Sequence, residues 1–425
     1  MPEILSVTID SLGARGDGLA EHDGKPVYVP AALPGETVRV QITEMRKNGI
    51  YAELIDIEQA SPQRSVPKCR HFGTCGGCQM QHLDDDLYKR WSQDRARFAL
   101  SQQGFKEVSV EEPFVAPPAS RRRVALKALK TASGLVFGFN VSGSHQIVDV
   151  QQCPIMHPDI WKLLPELRKV LNNILPQRAL AQVHITRSET GIDLLVDVAH
   201  EVSLSEREAC VEFANSFDLA AFHWRTEGFL DPIVVRREPV MDFAGVKVRL
   251  SPGAFVQATA ESETTMVDRI LSACPGAGRV ADLFSGIGTF TFPLACDHQV
   301  LAVEGAQEAV RALENGRNAA PSAGKKLKQI VVKHRDLFRR PLSTKELAGF
   351  DAVVIDPPRA GAQMQMEQLA SSDVKTIASV SCNPNTFARD ARTLVDGGYE
   401  LQSVFPVDQF LWSNHLELIG IFTRR

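Results

Sequence analysis

From about residue 255 onward the chain alternates short apolar runs with helix-like segments, and this alternation limits its fold more than any other feature. The runs are Arg279 to Phe284, Gln299 to Val303, Gln329 to Lys333, Ala352 to Ile355 and Thr376 to Ser381. Strand–helix alternation predicts an α/β fold with a doubly wound parallel sheet. Ligands of such sheets bind at the carboxyl ends of the strands. The residues just past each run are therefore the candidate site.

Chemically able groups lie at those positions. The fourth run ends in Asp356-Pro357-Pro358-Arg359, the fifth in Ser381-Cys382-Asn383-Pro384, and His415-Leu416-Glu417 follows farther on. The first run leads into Ser285-Gly286-Ile287-Gly288-Thr289, whose glycines let the turn approach a ligand closely. A dinucleotide fingerprint needs a third glycine, and Thr291 occupies its place. Glu304, ending the second run, is placed to bind both ribose hydroxyls of an adenosine cofactor, and Asp336, after the third, to reach the adenine. S-adenosylmethionine fits better than NAD, because it has no pyrophosphate to cradle.

Methylation at C5 of a uracil has requirements that these residues meet. C5 is a poor nucleophile until a thiolate adds at C6, and a base must afterwards remove the C5 proton so that the thiol can leave. Cys382 and Glu417 are the candidate pair. Asp356 is placed to hydrogen-bond the uracil edge, and Arg359 to contact a phosphate or the ring. The target base has to leave its stack. Taken singly, a strand-end cysteine is more often inert and a carboxylate on a last strand more often solvated; their meeting on one cofactor-binding sheet shifts the balance. Amino-group methylation, the competing enzyme reading, usually shows an aromatic residue after the DPP-type turn, where this chain has Arg359.

The rest of the chain divides by pattern. Residues 1–60 carry five short alternating runs with Gly- and Pro-bearing turns, which predicts an OB-type β-barrel, a fold often used to bind single-stranded nucleic acid. Residues 61–250 read as a mainly β central domain, with helical stretches at Leu83 to Gln103 and Ile160 to Ile174, and 251–425 as the cofactor-binding domain. The net charge of −4 excludes a chain that is basic throughout. A local patch, Arg121-Arg122-Arg123 with Lys127 and Lys130, remains a candidate RNA surface. No apolar run is long enough to span a bilayer, and Met1-Pro2-Glu3-Ile4 lacks a basic-then-apolar leader pattern. A cytoplasmic protein with no membrane association and no obligate protein partner is expected.

Of the eight cysteines, Cys69, Cys75 and Cys78 cluster, and Cys153 stands alone before a proline. Clustered cysteines in a cytosolic chain indicate a metal site rather than disulfides. Four thiolates suit an iron–sulfur cluster or zinc. Only one CxxC pair is present and Gly73, Gly76 and Gly77 surround it, which favours a bulky four-iron cluster and leaves zinc as the alternative. The spacing differs from the CxxxCxxC of radical enzymes.

The cysteine spacing, the DPPR turn, SCNP and HLE together resemble the bacterial RNA uracil-C5 methyltransferases over essentially the whole chain, and the first sixty residues resemble a TRAM domain. The resemblance implies a 4Fe-4S cluster on Cys69, Cys75, Cys78 and Cys153. It implies S-adenosylmethionine bound by Gln257, Phe284, Glu304 and Asp356, with Thr289 standing where some relatives use asparagine and Asp336 a lesser candidate for the adenine end. Cys382 matches the family nucleophile, Glu417 the proton acceptor, and Phe255 a residue near the flipped base. TRAM plus cluster resembles the subgroup acting on 23S ribosomal RNA; relatives of the same layout act on tRNA. A non-catalytic RNA-binding assembly factor is the reading from another class, and the joint presence of Cys382, Glu417 and Glu304 argues against it.

Overall fold

The computed structural model describes residues 3–424; Met1 and Pro2 of the opening tetrapeptide lie outside the described residues. The amino-terminal segment forms one six-stranded sheet, in the order Ile4–Thr8, Thr37–Arg46, Gly49–Gln59, Lys25–Val29, Gly18–His22 and Ser11–Leu12. Alternate side chains, among them Val27, Val29, Val38 and Val40, fill its interior, as a period of two dictates. Its fully buried Glu36 pairs with Arg64, which fastens the sheet to the chain that leaves it.

A seven-stranded sheet follows, in the order Ile147–Asp149, Gly134–Asn140, Arg123–Thr131, Leu180–Ser188, Gly191–Asp197, Ala221–Thr226 and Phe229–Val235. Every pair in it is antiparallel except Gly191–Asp197 with Ala221–Thr226. A parallel pair needs a crossover, and the helix Leu204–Ser216 supplies it. The sequence reading missed this helix. Its signal was a capping box, in which Ser203 and Glu206 satisfy each other's backbone N–H groups.

The carboxy-terminal sheet has eight strands, in the order Ile330–His334, Gln299–Glu304, Arg279–Leu283, Ala352–Ile355, Thr376–Ser381, Glu417–Thr423, Glu400–Asp408 and Phe114–Val115. The first five are parallel. All four residues of Ala352–Ile355 are buried, as expected of a strand covered by helices on both faces. Glu417–Thr423 runs antiparallel to both its neighbours. That reversal brings its first residue to the edge where the parallel strands end.

Packing cuts across the segments drawn from sequence. Helix Asp85–Ser101 buries Ala96, Ala99 and Leu100 in the core of the carboxy-terminal sheet, and Phe114–Val115 extends that sheet. The hairpin Val240–Phe243 and Val246–Arg249 joins the core on the other face. Residues 85–101, 114–115 and 240–249 therefore pack with the last domain, while the rest of 61–250 keeps its own sheet and core, because apolar faces pack by proximity and not by order along the chain. Among the described residues no helix is long and apolar enough to cross a membrane.

Candidate active site

Four strand ends and one strand start converge on a cleft of about 550 Å³. Arg279–Leu283 leads into Phe284, which holds a left-handed φ of +59°, a costly geometry for a residue with a Cβ. In the turn beyond, Gly288 has φ +101°, and a Cβ there would lie 2.5 Å from the Phe292 ring. Glu304 braces this turn: its Oε2 accepts from Gly286 N–H at 2.9 Å and its Oε1 from Ala306 N–H at 2.7 Å. Both oxygens keep lone pairs for a ligand diol. The Ser285 hydroxyl, in the cleft wall, is buried and has no partner.

Asp356, Cys382 and Glu417 line the same cleft. Glu417 lies one step beyond the Ser381–Leu418 pair, beside Cys382. Cys382 precedes Asn383, which caps helix Pro384–Asp396. The Asn383 amide and the Thr386 hydroxyl donate to the Arg359 carbonyl, tying the helix start to the DPPR turn.

The cleft is rich in carboxylates whose proton affinity is raised. Burial pushes Asp356 up to about 7. Burial, with the nearby Asp356, pushes Glu417 up to about 8 against a hydrogen bond from Gln409. Beneath the glycine turn, burial takes Asp282 to about 7, although Thr291 donates to it. The Cys382 thiol rises to about 11 through burial and the charges of Glu417 and Asp356, with Arg359 acting the other way. Such clustering of shifted groups marks functional sites, and an acidic, half-enclosed cleft suits a cationic ligand.

A second cavity, of about 420 Å³, adjoins the first through Arg359, Cys382 and Phe410. Cys69, Cys75, Cys78 and Cys153 all line it as free thiols. Among the described residues no three His, Cys, Asp or Glu side chains converge to hold a single ion. Burial raises the Cys78 thiol to about 12 and the Cys153 thiol to about 11.

The other expected residues divide. Gln257, Phe284, Thr289, Glu304 and Arg359 line the first cavity. Phe255, 63% exposed, stands at its wall with the Arg123 guanidinium 5.4 Å from its ring. Arg121 lines the second cavity and lies 5.3 Å from the Phe410 ring. Arg122 departs from the expected basic patch. It is 4% exposed, ion-pairs with Glu263, and donates to the Gln257 carbonyl at 3.0 Å, so no free guanidinium remains for a phosphate. Asp336 lies outside the cleft wall, its Oδ1 accepting from the Phe338 and Arg339 N–H groups. Sequence reasoning missed Gln409 and Glu263, which only the folded chain brings to the site or to Arg122 behind it; Ser285 lies in the glycine turn already singled out, but its unpartnered hydroxyl shows only in the fold.

Fold and cleft together define a class, a Rossmann-type methyltransferase fold with a thiol at the sheet edge. The family model described as tRNA (Uracil-5-)-methyltransferase matches residues 234–425, and that of the TRAM domain matches residues 3–55. A Caulobacter vibrioides protein described as an uncharacterized RNA methyltransferase is 42% identical over 98% of this chain and 99% of its own length. A similarly described protein of Brucella melitensis is 40% identical over 98% and 97%. The crystal structure of a Pyrococcus abyssi tRNA (uracil-54, C5)-methyltransferase with S-adenosyl-L-homocysteine superposes with a TM-score of 0.76 at 22% identity, covering 98% of this chain and 99% of that one. The chain belongs to the RNA uracil-C5 methyltransferase family.

Proposed function

We propose that the protein methylates C5 of a uridine in RNA, with 23S ribosomal RNA as substrate, through a covalent adduct on Cys382. One observation carries this reading: Cys382, Asp356 and Glu417 share a cleft with the glycine turn and Glu304. The residues fit S-adenosylmethionine. Glu304 offers oriented oxygens, the unpartnered Ser285 hydroxyl faces the cleft, and the carboxylates suit a positive sulfonium. Gln257, Phe284, Thr289, Glu304 and Asp356 would hold the cofactor, which supplies an electrophilic methyl group when bound.

The protein's own groups then act in sequence. At rest Cys382 is a neutral thiol, because burial and two carboxylates oppose its ionisation. Asp356, at about 7, is able to take the thiol proton at neutral pH, and Arg359 favours the thiolate. The sulfur adds to C6 of the uracil and the 5,6 π pair passes to C5, which would take the methyl group from the bound cofactor, the sulfonium leaving as a neutral thioether. Glu417 then receives the C5 proton, the C6–S bond breaks and the 5,6 double bond returns. The exposed Phe255, with the half-buried Arg123 guanidinium beside its ring, is placed to cover a base drawn out of its stack, and Arg121 to meet the adjoining RNA.

We further propose that Cys69, Cys75, Cys78 and Cys153 hold a 4Fe-4S cluster. Such a cluster offers each thiolate its own iron, so thiols spread around a cavity suit it, whereas zinc needs all four sulfurs about 2.3 Å from one point. Its part would be to tie residues 69–78 to Cys153. Iron and sulfide in equal amounts after oxygen-free purification support this; stoichiometric zinc refutes it.

A second substrate is favoured by the description of the matching family model, which names tRNA. Trapping separates the two. The protein and S-adenosylmethionine are mixed with 5-fluorouridine-substituted 23S fragments or tRNA. Fluorine cannot leave C5 as a proton, so a denaturation-resistant adduct should build up on Cys382 with the 23S fragments. An adduct with tRNA alone replaces the substrate assignment. No adduct with either RNA favours amino-group methylation, or a non-catalytic factor where methyl transfer is also absent.

A further inference from the structure

Gln409 is 2% exposed and lies in the segment between Glu400–Asp408 and Glu417–Thr423. Its Oε1 accepts from the Ala258 backbone N–H at 2.8 Å. Its Nε2 donates to Glu417 Oε1 at 3.1 Å and to Gln257 Oε1 at 2.9 Å. A backbone N–H only donates, so the Ala258 bond settles which end of the Gln409 amide is oxygen. The NH2 end must then face Glu417 and Gln257, and its two hydrogens supply one bond to each.

Two consequences follow from that polarity. The Glu417 oxygen facing Gln409 has to be an acceptor, and the unprotonated oxygen is the better acceptor, so the bond favours a proton on the other oxygen, Oε2. The Gln257 carbonyl oxygen has to face Gln409, so its own NH2 group is left to other partners. Gln257 is anchored in turn by Arg122, which donates to its backbone carbonyl and pairs with Glu263.

We propose that Gln409 is a positioning residue for methyl transfer: it reserves Oε2 of Glu417 as the oxygen that takes the C5 proton, and it leaves the Gln257 amide N–H groups free as donors to the cofactor. The proposal rests on Glu417 being the base. In the release step the C5–H bond breaks, its proton moves to Oε2, its electron pair forms the 5,6 double bond, and the Cys382 sulfur departs with the electrons of the C6–S bond. By donating to Oε1, Gln409 also favours the carboxylate form that accepts this proton.

The test measures adduct formation and adduct release separately across pH, in wild type, Gln409→Met and Gln409→Glu. Methionine keeps the length of the side chain and removes all three hydrogen bonds. Release should slow about tenfold, as loss of a hydrogen bond to a charged group implies, and its rising limb should move to higher pH. The KM for S-adenosylmethionine should rise as well. Gln409→Glu, which loses the donors and adds a carboxylate, should move the limb farther, and it decides the matter if the methionine variant does not fold. A release limb that stays in place in a variant with wild-type melting overturns the proposal, because a merely structural role would lower amplitude without moving the limb. The base assignment is tested apart, by Glu417→Gln: clean turnover there removes the base itself, whereas a trapped adduct there with normal release in Gln409→Met removes only the role of Gln409.

Discussion

The two adjoining cavities are built in different ways. The acidic cleft is lined at the ends of paired strands, and the ladder from Arg279–Leu283 to Glu417–Thr423 fixes its geometry. The cysteine cavity is lined by irregular segments, joined by bonds such as Cys69 N–H to Gln81, Gln152 to Lys68 and Gly76 N–H to Asn140. A sheet carries its own order, whereas loops need something to bind them. The cleft should therefore keep its shape unaided, and the cysteine region should depend on what its thiols hold.

The sharpest way to probe the cleft is to remove its nucleophile. Cys382→Ala should lower methyl transfer by more than about 10⁴-fold and leave no adduct on fluorinated RNA, in line with loss of a nucleophile elsewhere. Residual turnover near wild type would place the nucleophile elsewhere. Glu417→Gln should act later in the cycle. Methyl transfer to the adduct should persist while release slows about 10²–10⁴-fold, so that RNA covalently bound to protein and carrying a new methyl group accumulates on denaturing gels.

The comparison breaks if the cysteine region proves independent of the cluster proposed for it. Cys78→Ser, or chelation of the wild-type protein, should lower the melting temperature and weaken RNA binding. Affinity for S-adenosylmethionine should change by less than about threefold, under ~1 kcal/mol. A cleft that loses its cofactor in parallel would mean that the two cavities form one unit. Breaking the buried pair with Arg122→Met should destabilise the fold by about 3–5 kcal/mol, because Glu263 is left buried without its partner. Urea denaturation measures that loss.

The smallest effect is on pH. Asp282, Asp356 and Asp408 rise to about 7 and Glu417 to about 8 in the fold. Each then holds its proton in the native state over a range where the unfolded chain has released it. Stability from these groups is thus greatest below their unfolded values near 4 and declines as pH rises towards 7–8. Glu417→Gln should flatten part of that decline; a slope unchanged in this variant would count against the raised value. Release of the adduct runs the other way, since the base must be ionised, and its rate should climb towards pH 8.

Much of the cleft could be read in the chain because its parts are local. Ala352–Ile355 is short and wholly apolar, Thr376–Ser381 is short with an apolar centre, both are bounded by turns, and the structure keeps those bounds. The glycine turn and Glu304 follow their strands directly. Residues whose place depends on distant partners were not legible. Arg122 stands in a basic triplet, yet it is buried against a glutamate 141 positions away. Gln409 has no motif of its own, and its role depends on an Ala258 N–H 151 positions away. Helix Asp85–Ser101 was visible as a helix but not as part of the carboxy-terminal core, because its apolar face does not specify which surface it will cover.

By itself the sequence determined the class of sheet, the residues at its carboxyl edge and the presence of four spare thiols, since these depend on periodicity and on neighbours along the chain. The tertiary structure alone decided that Glu417 would sit buried beside Cys382, that Arg122 would turn inward and that a glutamine would join the base to Gln257. The reason is physical: proton affinity and hydrogen-bond polarity are set by what surrounds a group in space, and the reversed strand Glu417–Thr423 places its first residue between two neighbouring strands, beside Cys382 and Gln409.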